Sequence, residues 1–297
     1  DLLRRYYPRT PCLFSSAVLP RRLLQQLALA LDAEYFEAEG PLPGGQRVWM
    51  TLPSPAVDSL LRQHRSRTIV VCNTVRGAQT LYRSLARALG PTQAAEELIL
   101  LHQHQLYRHR LPQFQRAAAV FGPHGQGRGL LITTSSIEVG ADFSAETLIT
   151  DPVSPDRLLL RAARCGRFTG ETGRVIVTQV SDHAPAERYP APSWQALVAQ
   201  LADDTPHSAA QELAAYDALW DAQLPAAHQE TLCTLPDADA RAAALDRILA
   251  GEAAPERLFS RVGVALHRVP ETVQDPFELE RFSLAIATLE RGWRQWQ

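Results

Sequence analysis

Between Gln46 and Val180, short apolar runs alternate with stretches of helical spacing, and this alternation limits the possible folds more than any other feature. Thr68–Cys72 (TIVVC) is a continuous β-branched run, the pattern of a strand covered on both faces. Leu98–Leu101, Gly129–Ile132, Thr147–Thr150 and Arg174–Val180 repeat it, and Gln46–Leu52 is a further candidate. Between these runs, Ala56–His64, Val75–Leu89, a stretch ending at Phe121 and Leu158–Arg164 have helical spacing; Ala78, Leu81, Leu85 and Leu89 form one such stripe. Strands separated by helices imply βαβ units, hence an α/β fold with a parallel sheet flanked by helices.

The flanks differ. Pro11–Ser16 reads as a strand, and residues 21–32 as a helix with Leu23, Leu24, Leu27 and Leu31 on one stripe; Gly40–Gly45 (GPLPGG) is a turn-rich break. After the last strand, Pro185, Pro190, Pro192 and Pro206 mark a linker candidate. Residues 207–255 are Ala-rich and helical, followed by one β-like run, Val262–Val269, and a tail ending GWRQWQ. The expected division is a leading segment 1–20, a linker 21–45, the α/β domain 46–182, a second linker 183–205 and a mostly helical region 206–297.

Composition excludes several chemistries. All 30 basic residues are Arg. A phosphate loop needs its lysine, and so does a Schiff base, so neither can be built from this chain. Residue 1 is Asp and the only Met is Met50, which reads as a fragment or processed product. No leader or membrane-spanning run is expected, and Cys12, Cys72, Cys165 and Cys233 are spaced as reduced thiols of a cytoplasmic protein. A net charge of −2 argues against a globally basic binder and leaves a local basic groove possible.

Three strand-end clusters could carry function. In Asp156–Arg167 (DRLLLRAARCGR), Arg157, Arg161 and Arg164 share one helical face, and Gly166 can end the helix and turn Arg167 away. Forked, always-charged donors in a row suit a polyphosphate or a nucleic-acid backbone; a solvated arginine face is the plainer alternative. Gly129–Phe143 (GLLITTSSIEVGADF) runs from a strand into the hydroxyls Thr133 to Ser136, then to Gly140 for a tight turn and Asp142 as an acceptor suited to a ribose hydroxyl. A Ser/Thr-rich turn would look the same. In Cys72–Arg76 (CNTVR), Asn73 or Thr74 caps the next helix with Arg76 in its first turn, which serves either anion binding or simple capping.

Taken in order, these clusters resemble the second RecA-like domain of a superfamily-two helicase. Leu160, Arg161, Ala163, Arg164 and Arg167 match its motif VI, Q-R-x-G-R-x-x-R, and Thr134 to Asp142, including Gly140, match motif V. The Ile-Glu-Val-Gly-x-Asp run, VCNTVRGAQTLY and LILLHQHQLYRHR are similar to the CRISPR-associated helicase–nuclease of type I systems. Ser16–Pro20 (SAVLP) resembles motif III, and Cys165–Glu171 (CGRFTGE) a variant subgroup, type I-G or I-U. The resemblance covers residues 12–180, with 206–297 matching as the family's C-terminal helical region. It implies a RecA-like sheet, with 1–20 closing the first RecA-like domain. It also implies ATP with magnesium held by that upstream domain, single-stranded DNA as substrate, and a guide-RNA interference complex as partner in antiviral defence. Arg164 and Arg167 would be arginine fingers, Gly140 and Asp142 would lie beside the nucleotide, and Asn73, Thr74, Arg76, Thr134 and Arg161 would line the strand path.

The pattern is not complete. Leu160 replaces Gln, Ala163 replaces Gly and Val18 replaces Thr. No Asp-Glu-x-His stretch and no His-Asp dipeptide occurs, so the upstream magnesium site and the family's nuclease motif are outside this chain, which alone should not hydrolyse ATP. His102, His104 and His109 lack the acidic partners of a dinuclear metal site; no metal site is expected. Gly122, Gly125, Gly127 and Gly129 precede a strand instead of following one, unlike a dinucleotide fingerprint. Trp293 and Trp296 suit base stacking or a packed tail helix. Two other functions stay open: a degenerate, non-catalytic RecA-like binding module, and a general superfamily-two repair or RNA helicase.

Overall fold

The structure is a computed structural model. It describes residues 44–53, 57–138, 140–179 and 193–223, the backbones of 263–268 and 280–285, and positions 18–22, 24, 25, 28 and 34. The candidate strand Pro11–Ser16, the first two residues of the motif III stretch, the prolines at 185, 190 and 192, and Trp293 and Trp296 lie outside the described residues.

Strand β1 (Gln46–Leu52) leads through α1 (Val57–Gln63) to β2 (Arg67–Val71), then α2 (Val75–Leu89), α3 (Pro91–Glu97), β3 (Leu98–Leu101) and α4 (Tyr107–Phe121). Strand β4 (Gly129–Thr133) is followed by a 3-10 turn at Ser135–Ile137, β5 (Thr147–Thr150), α5 (Pro155–Ala162) and β6 (Thr172–Thr178). Helix α6 (Trp194–Leu201), β7 (His207–Ser208) and α7 (Ala209–Gln223) complete this part. The seven strands lie in the order β3-β4-β2-β5-β6-β1-β7. All pairings are parallel except β1 with β7, so this is the α/β sheet that the alternation implied.

The apolar runs become strands because both faces of the sheet are covered. Ile69, Val71, Leu131, Leu148 and Val175 pack into one core with Trp49 and Phe121. Val70, Leu130, Ile132, Ile149 and Ile176 pack into the other with Leu60, Ala78 and Leu85. Alternate residues thus serve opposite layers, and removing water from both explains why the runs are continuous and not alternating.

Two helices were not foreseen. Helix α3 has only Ala94 buried, so its sequence carries no apolar stripe. Helix α6 falls inside the stretch read as a linker. The prolines at 185, 190 and 192 precede Ser193, whose side chain accepts from Ala196 N–H as an N-cap, and Leu197, Val198 and Leu201 are buried beyond it. A separate two-stranded antiparallel sheet pairs β8 (Gly263–Arg268) with β9 (Glu280–Ala285), so strand pairing occurs within the region expected to be mostly helical. Among the described residues no helix is long and apolar enough to cross a membrane.

Candidate functional site

The parallel strands β2, β4 and β5 end side by side, and the three clusters sit on those ends. After β2, Thr74 is the N-cap of α2, its hydroxyl accepting from Gly77 N–H at 3.0 Å. Asn73 is tied down on all sides. Its backbone N–H donates to Asp151 Oδ2 at 2.8 Å, its Nδ2 to Pro152 O at 2.9 Å, and its Oδ1 accepts from Arg161 Nη2 at 3.1 Å. Its amide therefore braces the site while the residue stays half-buried. Arg76 is exposed in the first turn of α2, as a strand contact requires.

After β4, Thr133 Oγ1 lies 3.4 Å from Ser136 Oγ, while Thr134 Oγ1 is buried with no partner. A buried hydroxyl without a hydrogen bond is costly and calls for a reason. Further on, Gly140 is exposed at φ +81°, with open space where a Cβ would stand. Such a position is easily held only by glycine.

Glu138 joins this segment to α5. Its carboxylate accepts from Arg157 Nε at 3.1 Å and Nη2 at 2.9 Å, and from Arg161 Nε at 2.8 Å. Arg161 is 0% exposed, and its other nitrogens reach Thr150 Oγ1, Asp151 O and Asn73 Oδ1. Burial pulls its guanidinium below the ordinary value, with Glu138 opposing the shift. All of this side chain is inside the protein, so the expectation that Arg161 lines a strand path is corrected: it welds three strand ends together. The arginine face predicted by spacing points inward at 161, because the sequence supplies Glu138 to neutralise it.

The next two arginines lie at the surface edge of that weld. Arg164 is 8% exposed, and its Nε and Nη2 donate to Ile137 O at 3.0 Å and Glu138 O at 2.9 Å. Burial lowers its pKa, and the nearby Arg167 charge adds to this while Asp142 opposes it. Arg164 is thus held on the backbone of the 134–142 segment and does not extend from it. Arg167 is open to solvent: its Nε donates to Asp142 Oδ1 at 2.5 Å, with 35% of its side chain and 57% of that of Asp142 exposed. Asp142, Arg164 and Arg167 therefore come together, with the Ile137 and Glu138 carbonyls behind Arg164.

The loop that carries Arg167 is closed by residues with no motif signal. Ser144 Oγ accepts from Arg167 N–H at 3.0 Å and donates to Glu171 Oε2 at 2.5 Å. Glu171 also accepts from Phe168 N–H at 3.0 Å and from Arg67 Nη2 at 3.2 Å. Burial alone would raise the Glu171 pKa, but the bonds from Ser144, Phe168 and Arg67 outweigh it and hold the carboxyl low. Only the run CGRFTGE hinted at this closure; Ser144, Asp151 and the role of Glu138 had no spacing rule to mark them. Burial raises the thiols of Cys72 and Cys165 to about 12, so neither is a nucleophile. No three metal-ligating side chains cluster among the described residues.

A family model described as CRISPR-associated nuclease/helicase Cas3, C-terminal, matches residues 64–170. No curated protein matches the chain. A crystal structure described as a CRISPR-associated protein is similar at TM-score 0.52 and 19% identity, covering 80% of this chain and 31% of that one. Cas3 of T. fusca with ATP gives a TM-score of 0.48 at 20% identity, covering 65% of this chain and 26% of that one. Dbp5 of S. cerevisiae bound to RNA and ADP BeF3 gives 0.45 at 19% identity, covering 61% and 48%. The chain thus spans less than half the length of each. Sheet order and the structural likeness agree on a RecA-like α/β fold, and within it residues 64–170 are similar to the Cas3 C-terminal family.

Proposed function

We propose that this chain is the C-terminal half of an ATP-dependent DNA helicase or translocase of CRISPR interference, working in the cytoplasm beside a guide-RNA complex. Its part is to bring Arg167, backed by Arg164, to ATP bound mainly by an upstream RecA-like domain, and to hold single-stranded DNA along the strand ends. The observation that carries this reading is the half-exposed Arg167–Asp142 pair beside the open surface at Gly140.

The residues fit a nucleotide approached from outside. Asp142 keeps the Arg167 guanidinium oriented while no phosphate is near, and a polyphosphate is a stronger competitor for the same fork. When bound, ATP supplies the phosphoanhydride whose cleavage drives movement, with charge building on the outer phosphate. Arg167 places a permanent cation there, and Arg164 adds a second positive charge nearby that needs no rearrangement. The chain has no lysine for a phosphate loop, and this reading assigns that loop and the magnesium carboxylates to an upstream domain. Arg76, the unpartnered Thr134 hydroxyl and the capped start of α2 suit a phosphate backbone, a sequence-independent and salt-sensitive contact.

One observation favours a second reading, a non-catalytic module: Leu160 stands where the family has Gln, and Arg164 is engaged on carbonyls. Strand-stimulated ATPase activity of the full-length protein separates the two. Activity present in the parent and lost in Arg164→Ala and in Arg167→Ala supports the motor; no turnover in the parent supports the module, and turnover that survives both substitutions overturns the arginine-finger assignment.

A further inference from the structure

A buried ion pair joins β1 to α7, outside the matched segment. Arg47 Nε donates to Glu212 Oε1 at 2.7 Å and Nη2 to Oε2 at 2.6 Å, and Trp49 Nε1 donates to the same Oε1 at 2.8 Å. Arg47 is 4% exposed and Glu212 3%. Stripping water from two charges is expensive, and such a pair is often no more stabilising than apolar residues of equal volume. Stability therefore does not explain why the pair is there. Its geometry does: the remaining nitrogen, Arg47 Nη1, donates to Cys165 O at 3.4 Å. Cys165 begins the turn Cys165–Gly166–Arg167. The start of the same strand holds both ends of the following loop, Gly45 N–H donating to Gly166 O and Gln46 N–H to Glu171 O.

We infer that Glu212 is a positioning residue for Arg167, acting through Arg47. Two-point pairing with Glu212 fixes the plane of the Arg47 guanidinium, and this aims the third nitrogen at the Cys165 carbonyl. The carbonyl sets the direction in which Gly166 and Arg167 leave the turn. A shift of α7 along the sheet is then transmitted to Arg167, which makes this helix part of the hydrolysis machinery and not only a covering layer. The inference rests on the reading of Arg167 as the residue facing ATP.

The test uses the full-length protein, with ATP turnover in saturating single-stranded DNA and backbone hydrogen exchange measured together. Arg47→Lys keeps the charge opposite Glu212 but cannot also reach Cys165 O. The pair Arg47→Met with Glu212→Leu removes both charges at similar volume, and turnover is read only in a variant whose unfolding midpoint shows it folded. Both are expected to lower kcat about tenfold with KM for ATP within about twofold, the pattern of a lost transition-state contact. Exchange is expected to rise in 163–171 while β2 and β4 stay protected. Unchanged kcat in a folded variant, or a raised KM with kcat intact, overturns the inference while Arg167→Ala still abolishes turnover. If Arg167→Ala itself leaves turnover intact, the reading beneath the inference fails and the inference goes with it.

Discussion

Three arginines within one turn and a half of chain do three different jobs, decided by burial. Arg161 is a structural cation paired with Glu138, Arg164 a cation held on carbonyls, and Arg167 the one that meets solvent. Removing Arg161 leaves Glu138 with half its neutralising charge and takes a donor away from Asn73 Oδ1 and Thr150 Oγ1. Arg161→Ala is therefore expected to cost about 3–5 kcal/mol, as breaking buried ion pairs does, read from the midpoint of chemical unfolding. Glu171 gives a pH signature. Its folded-state pKa lies below the ordinary 4.5, so its contribution to stability is present above pH 4.5 and is lost as pH falls through the folded value. Glu171→Gln is expected to flatten this part of the acid limb of the stability curve; identical acid limbs would contradict the assignment. The arginine row itself was legible from spacing. Which members face inward was not, because a helical face carries no label for core or solvent until its partner, Glu138, is brought across from another segment.

Among the elements, the strands and the longer helices follow from local pattern. Helix α2 begins at the Thr74 cap and shows its stripe plainly, and β1, β3 and β5 have the ends that the apolar runs mark. Helix α3 and the packing of α6 depend on tertiary contacts, so no periodicity announces them. The turn at Gly166 is closely packed against backbone. Gly166 has φ +51°, and a Cβ there would stand 2.7 Å from Gln46 O and 2.9 Å from Gly173 N. Gly166→Ala would force backbone against backbone in a left-handed conformation, at a cost of about 1–3 kcal/mol in strain before any clash is relieved. A lowered thermal midpoint together with slower ATP turnover is the expected outcome. A variant that melts and turns over like the parent would show that the loop is not held by its contact with β1.

At the scale of the whole molecule, the proposed function makes this site half of one. The chain contributes cations and hydroxyls at the ends of a parallel sheet, and no lysine with which to cradle phosphates. The missing lysine was legible in the composition, and the order of the three clusters carried the resemblance; the supporting residues Ser144, Glu171, Arg47 and Glu212 are distant in sequence and follow no shared spacing. The claim that matters most is that Arg167 acts on ATP when its charge redistributes, not when it binds. Single-turnover hydrolysis by the full-length protein, with nucleotide affinity measured separately, tests this directly. Arg167→Ala is expected to slow the hydrolytic step by about a thousandfold or more, the range for arginine fingers, while nucleotide affinity changes little. A hydrolytic step within about twofold of the parent rate, with affinity lost instead, would contradict it.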